Sequence, residues 1–256
     1  MKKIFLMSSV FLLVLFVGCF QYRSFHDFNS VTSAIEGVYQ MEVSFEYQPL
    51  NSDEWRSAVN KGVVISLGNG YVLGLTHVFS TTTVVTSSPW GTYKANVTPR
   101  NSVYGIDNKE LDFVGEYEDI SLFKAVKDDD FIDPYPAQWS DSDTLQEGDR
   151  VVLPGFPWML DRNFREGIVS DVHPLGYPGT DNTNLFTFSI NAIRGDSGSP
   201  VLVYRWGKLK IAGLAQKTTN MGVSFALKSN YVLKAIEMIK TVERAGAVNI
   251  KIEPMS

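Results

Sequence analysis

Residues 193–200 read IRGDSGSP. The glycines and the aspartate around Ser197 suit a tight turn, so by itself the octapeptide fits a serine on an exposed loop as well as a serine nucleophile. A hydroxyl is a poor nucleophile at neutral pH. It needs a general base within hydrogen-bond reach and a third group that holds the base in place. What Ser197 is therefore depends on the rest of the chain.

The usual base is histidine, and all three histidines, His26, His77 and His173, precede Ser197. That order excludes the α/β-hydrolase arrangement, and Ser199 stands where a nucleophile elbow requires glycine. His26 lies in QYRSFHDF, just past an apolar N-terminus, and reads as tether. His173, in SDVHPLGYPG, reads as a surface histidine on a proline- and glycine-rich loop. His77 ends GVVISLGNGYVLGLTHV, where an apolar strand arrives from a tight turn. A polar ring there is either a satisfied core or rim histidine or a catalytic base, and its position alone leaves both open.

The chain has 256 residues, 44% hydrophobic and 20% charged, enough for one large domain or two small ones. Its net charge is −5, and setting aside Lys2 and Lys3 makes the remainder more acidic still, which argues against a basic nucleic-acid-binding face. From about residue 36, ten short β-branched and aromatic runs recur between turn signals: GVVISL, YVLGLT, TTTVVTS, ELDFVG, DISLFKA, RVVLPGF, LFTFSI, PVLVYRW, KLKIAGLA and GVSFAL. This pattern implies an all-β sandwich or barrel rather than βαβ units. Gly68-Asn69-Gly70 marks a hairpin between the first two runs. The acidic, proline-bearing stretch KDDDFIDPYPAQWSDSD, residues 127–143, reads as a solvated connector between two β halves. One long helix is expected in SNYVLKAIEMIKTVERAG, capped by Ser229 or Asn230, with Val232, Leu233, Ile236 and Ile239 as its apolar stripe and Gly246 at its end.

The N-terminus, MKKIFLMSSVFLLVLFVGC, has the layout of an export signal: two lysines, then an apolar run over residues 4–17, then a small residue. Cys19 is the only cysteine, so no intramolecular disulfide can form. Its setting after Val17-Gly18 resembles a lipobox, with Phe16 where leucine is usual, and makes Cys19 a candidate lipid attachment point. The alternatives are a signal anchor or a cysteine that merely ends an apolar segment.

Taken together, GNGYVLGLTHV, EYEDISLFKA and INAIRGDSGSPVLV resemble, in order, the His, Asp and Ser signatures of trypsin-like serine peptidases of the chymotrypsin fold. EGDRVVLPGFP, FREGIVSDV, KIAGLA and MGVSFALKSNYV are similar to strand segments of the HtrA (Deg) branch, and the resemblance spans roughly residues 58–240. It implies an all-β fold of two six-stranded antiparallel β-barrels with a C-terminal α-helix. The expected organisation is an export signal at 1–18, a tether at 19–35, and a peptidase domain at 36–246, followed by a tail at 247–256. Within the domain, barrel one covers about 36–126, barrel two about 144–228 and the helix about 230–245.

By the same resemblance, His77 is the general base, Asp119 the residue orienting its imidazole, and Ser197 the nucleophile, in a cleft between the barrels. Glu118 and Asp112 fit less well, because the apolar run starts just after Asp119. The N–H groups of Gly195 and Ser197 would form the oxyanion hole. Asn191, Ile193, Leu214, Ala215 and Gln216 are candidate substrate-pocket residues, alongside Ile190 and Ala192. With no acid in the presumed walls, cleavage after small or medium aliphatic residues is expected. No metal or organic cofactor is expected, since the dispersed histidines and single cysteine lack ligand spacing. The implied partners are protein or peptide substrates and, through Cys19 or a signal anchor, a membrane. The aromatic residues Phe20, Tyr22, Phe25 and Phe28 suggest either a homotrimer or contact with a lipid interface. The rival readings are a silent peptide-binding pseudopeptidase and an esterase on the same fold.

Two features depart from the HtrA pattern. Asp196 stands where asparagine is usual, and Gly198-Ser199 where two glycines are usual. In digestive trypsins that aspartate pairs with a newly cut N-terminal amine, which a lipidated Cys19 cannot supply. HtrA proteins usually carry a PDZ domain after the peptidase, whereas this sequence ends about ten residues past the helix, so peptide gating through such a domain is not expected.

Overall fold

The computed structural model describes residues 28–49, 53–88, 91–127, 133–174, 182–219, 222–247 and 250–252. The export segment, Cys19, Phe20, Tyr22, Phe25 and His26 lie outside the described residues.

A short helix α1 (Phe28–Glu36) leads into β1 (Val38–Tyr47), β2 (Arg56–Gly68) and β3 (Tyr71–Leu75), followed by a single turn, α2 (Thr76–Phe79). A small hairpin, β4 (Thr83–Ser88) and β5 (Gly91–Asn96), precedes β6 (Pro99–Ile106), β7 (Lys109–Tyr117) and β8 (Ile120–Ala125). The second half holds β9 (Gln138–Trp139), β10 (Arg150–Gly155), β11 (Asn163–Asp171), β12 (Leu185–Phe188), β13 (Pro200–Arg205), β14 (Lys208–Thr218) and β15 (Ser224–Lys228). Helix α3 (Ser229–Arg244) and a last strand β16 (Ile250–Ile252) close the chain.

Strands β1, β2, β3, β8, β7 and β6 form one closed antiparallel ring, and β10, β11, β12, β15, β14 and β13 form a second. The fold is thus the expected double barrel. β16 adds to β7 and β9 to β14 as short parallel strands outside the rings.

The apolar runs are unbroken because their strands are buried on both faces, and alternate side chains enter different cores. In β2, Val63 and Ile65 face the layer between the barrels while Val64 enters barrel one with Met41, Val72 and Phe123. In β13, Leu202 faces the shared layer while Val201 and Val203 enter barrel two with Phe186 and Phe188. Helix α3 seals the shared layer with Val232, Ala235, Ile236 and Ile239.

Among the described residues 133–143 the connector is docked at three buried points, while Asp133, Asp141 and Asp143 stay exposed as expected. Tyr135 is buried and its hydroxyl donates to the Ala34 carbonyl at 3.0 Å, and Ser140 and Ser142 are buried beside α3. Neither Ser229 nor Asn230 caps α3. Both are its first helical residues, with Lys228 before them. Ser229 Oγ instead donates to Ser140 O at 2.6 Å, and Asn230 Nδ2 to Asp141 Oδ1 at 2.8 Å, so these polar groups dock the helix onto the connector. Leu233 is exposed, and Tyr231 and Ala235 take its place in the buried stripe.

Arg205 of β13 forks onto Asp149, with Nη1 donating to Oδ1 at 2.9 Å and Nη2 to Oδ2. Burial pushes the Asp149 carboxyl up, but the Arg205 fork and the Gln146 N–H outweigh it and hold the group below its ordinary value. Because the folded-state value is depressed, this contribution is present above about pH 4 and lost as pH falls through the folded-state value. Arg205→Ala should therefore lower the unfolding free energy by about 1–3 kcal/mol at neutral pH and by much less in strong acid. Urea melts at the two pH values test this, and equal losses at both would reject the electrostatic account.

Candidate active site

β3 and β8 pair with Leu75 opposite Ile120, so the chain leaving β3 and the chain entering β8 meet at the same barrel end. Thr76 N–H donates to the Asp119 carbonyl at 2.9 Å, which fastens the two segments together. His77 follows in α2, and its Nδ1 lies 2.8 Å from Asp119 Oδ1 and 2.9 Å from Oδ2. The carboxylate also accepts from the His77 backbone N–H at 3.0 Å. A carboxylate at Nδ1 requires the proton there, which leaves Nε2 as the acceptor a general base needs. Glu118 and Asp112 are exposed and make no such contact with His77.

Helix α3 backs this turn. Tyr231 packs against Tyr117 at 6.2 Å between ring centroids. Burial pushes the Tyr231 hydroxyl well above its ordinary value, and the neighbouring Glu118 carboxylate adds to this.

Ser197 lies on the turn between β12 and β13, and two contacts explain why that turn is glycine-flanked. At Gly198, with φ +91°, an added Cβ would lie 2.1 Å from Val63 O of barrel one. At Gly195, with φ +103°, it would lie 2.1 Å from Phe156 O. Any side chain at either position would force the backbones apart. Val63 N–H in turn donates to Ser197 O at 3.2 Å, tying the serine turn to the other barrel.

Arg194 O accepts from Trp158 N at 2.6 Å. In a trans peptide the C=O and the following N–H point in opposite directions, so the Gly195 N–H is turned away from the 157–159 turn. The Ser197 N–H lies two residues further along the same turn. The Gly195 N–H is thus a candidate donor for a developing oxyanion.

Gln216 lines the cavity beside Ser197 as expected and has a second set of contacts that the sequence did not indicate. Its Nε2 donates to Asp119 Oδ2 at 2.9 Å, and its carbonyl accepts the Ser197 hydroxyl at 3.3 Å. It thus touches two of the three candidate catalytic residues. In this structure Ser197 Oγ is hydrogen bonded to Gln216 O and not to His77.

Beside Ser197 opens a cavity of about 460 Å³ lined in part by Asn191, Ile193, Ala215 and Gln216. Leu214 does not line it. Strand alternation turns Leu214 into the layer between the barrels, where it is fully buried. The wall is braced by Thr218 Oγ1, which donates to Ala192 O at 2.5 Å, and by Ser224 Oγ, which accepts from Ala192 N at 2.9 Å. Arg194 and Lys217, within the expected wall segments SINAIR and GLAQKTT, also line the cavity, as does Trp158, which lies outside them and was not anticipated from the sequence. His173 is exposed, with its backbone N–H on Asp171 Oδ1. Among the described residues no cluster of three or more His, Cys, Asp or Glu is placed to hold a metal, and no helix is long and apolar enough to cross a membrane.

A family model described as a trypsin-like peptidase domain matches residues 60–209. The periplasmic serine endoprotease DegP of Escherichia coli K12 is 29% identical over 182 residues, 68% of this chain and 34% of DegP. The chain therefore spans about a third of the length of that relative. The serine endoprotease of Yersinia pestis superposes with a TM-score of 0.53 at 17% identity, covering 82% of this chain and 66% of that one. The HtrA-type protease AlgW with a decapeptide superposes with a TM-score of 0.58 at 16% identity, covering 85% and 67%.

Proposed function

Because the chain belongs to the trypsin-like peptidase family, we propose that it is a serine endopeptidase acting through His77, Asp119 and Ser197. The observation that carries this reading is the doubly held Asp119 against His77 Nδ1, linked through Gln216 to Ser197 and the cavity beside it. On substrate binding the Ser197 hydroxyl turns from Gln216 O to His77 Nε2. His77 takes its proton as Oγ attacks the scissile carbonyl, and Gly195 and Ser197 N–H groups receive the oxyanion. His77 then protonates the leaving amine and later activates the water that clears the acyl-enzyme.

The side chain before the cut bond sits in the cavity beside Ser197. Small or medium aliphatic side chains fit its Ile193 and Ala215 surfaces, and profiling on an unbiased peptide mixture tests this. A dominant signal after acidic residues would instead assign specificity to Arg194 and Lys217.

A silent peptide-binding pseudopeptidase is favoured by one observation, the Ser197–Gln216 hydrogen bond in place of one to His77. Fluorophosphonate labelling of the purified chain, with casein hydrolysis alongside, separates the two. Labelling confined to Ser197 together with turnover supports the peptidase, and absence of both supports the silent binder.

We also place the protein outside the cytoplasm, supported by the export-type N-terminus and by the periplasmic location of DegP. Lipidation of Cys19 would tether it there, with a trimer as a further proposal from the aromatic N-terminal segment. An acyl addition in the intact mass of the mature chain, abolished by Cys19→Ser, is the expected result. An unmodified mass would mean simple cleavage or a retained anchor.

A further inference from the structure

Asp196 is 1% exposed, immediately before Ser197, and lies beyond reach of water. A carboxylate taken out of solvent needs a counter-charge and hydrogen bonds. One oxygen, Oδ2, accepts from Ile193 N–H at 2.7 Å. The other, Oδ1, lies 2.5 Å from Nη2 of Arg165 as an ion pair, although not aligned as a hydrogen bond. The same guanidinium reaches the cavity wall, with Nη1 donating to the Asn191 carbonyl at 3.0 Å.

Arg165 comes from β11, opposite Leu153 of β10, on the inward-facing register shared with Gly167 and Val169. Inward-facing arginine is unusual on a barrel strand. Gly155, at the end of β10, makes room for the carboxylate, since a Cβ there would lie 2.7 Å from Asp196 Oδ1. One guanidinium thus grips segment 191–196 at both ends, and that segment carries one wall of the cavity and leads into the oxyanion turn.

Resting on the peptidase reading above, we infer that Arg165 is the positioning residue of the oxyanion turn: an internal cation that holds Asp196, so that the turn assembles without a newly cut N-terminal amine. The charge that a cleavage event would have to deliver is already built into β11. The enzyme is therefore competent whatever its N-terminus carries, an acylated cysteine included.

The test compares the full chain with Arg165→Met, Arg165→Lys and the double variant Arg165→Met/Asp196→Asn, and with a wild-type chain bearing a blocked N-terminus. Turnover of a peptide substrate and hydrogen exchange of the 191–198 amides are both read. Arg165→Met should lower kcat on the order of 10²-fold, the effect of misplacing an oxyanion donor, with a smaller change in KM. Its 191–198 amides should exchange faster. Arg165→Lys should recover part of kcat because it keeps the charge. The double variant should recover relative to Arg165→Met, because no uncompensated carboxylate is left buried, and it keeps the comparison open if Arg165→Met folds poorly. The blocked wild type should match the free one. The assignment is overturned by unchanged kcat and exchange in Arg165→Met, or by a large gain in wild-type activity on exposing a new N-terminus. Hydrogen exchange needs no turnover, so a wild type without activity would reject the peptidase reading while the exchange comparison still decides the role of Arg165.

Discussion

Ser197→Ala should remove peptide hydrolysis by on the order of 10⁴- to 10⁶-fold, the scale seen when a triad nucleophile is deleted, while leaving the fold intact. The hydroxyl makes one long hydrogen bond, 3.3 Å to Gln216 O, and the residue is only partly buried. Its loss should therefore cost under about 1 kcal/mol of stability. The turn is held by other means, the Val63 N–H on Ser197 O and the Gly198 N–H on Ala215 O at 2.9 Å, both of which the substitution keeps. Casein turnover and thermal melts measured on the same preparation separate chemistry from folding. A folded Ser197→Ala protein that cleaves casein normally would end the assignment at this site.

Asp119→Asn should cost on the order of 10⁴-fold in turnover. The carboxylate accepts from three donors with two oxygens: the His77 backbone N–H, the His77 ring and the Gln216 amide. An amide offers a single acceptor atom. If that oxygen stays on the His77 backbone N–H, the –NH₂ group faces the ring and donates to Nδ1, which drives the imidazole proton onto Nε2. His77 is then the wrong tautomer to accept from Ser197. Fluorophosphonate labelling of Ser197 should slow in parallel, since it depends on the same base. A loss under tenfold would mean that Asp119 does not set the tautomer.

The barrels are legible in the sequence because their strands rest on local signals, whereas His77, Asp119 and Ser197 read as a candidate triad only through three family-like motifs taken in order. The Gly68-Asn69-Gly70 turn has φ of +78°, +54° and +77°, the geometry those residues favour, and the strands on either side are buried on both faces and so read as apolar runs. β6, PRNSVYGI, faces solvent over most of its length and has no such run. β1, VYQMEVSFEY, does carry buried Val38, Met41, Val43 and Phe45, and counting its alternation would have found it. Side-chain roles set by tertiary contact were not legible. Gln216 reaches Asp119 across 97 positions of sequence, and Asn230 leaves its expected cap to hold a connector 89 positions away. Arg165 left one trace, a charge on the inward register of FREGIVSDV, which alternation analysis of β11 can expose.

The Val63–Ser197 hydrogen bond has a meaning for biogenesis. His77 and Asp119 belong to the half of the chain that emerges first from the ribosome, and Ser197 to the half that emerges last. Neither half carries a complete reactive centre. The nucleophile turn is seated against β2 only when the two halves have docked, a long-range step that comes late in a β-rich protein. If His77, Asp119 and Ser197 act together as proposed, a partly made chain is chemically inert until the two halves dock. On the proposed peptidase reading, that timing is a safeguard written into a single backbone contact between barrels.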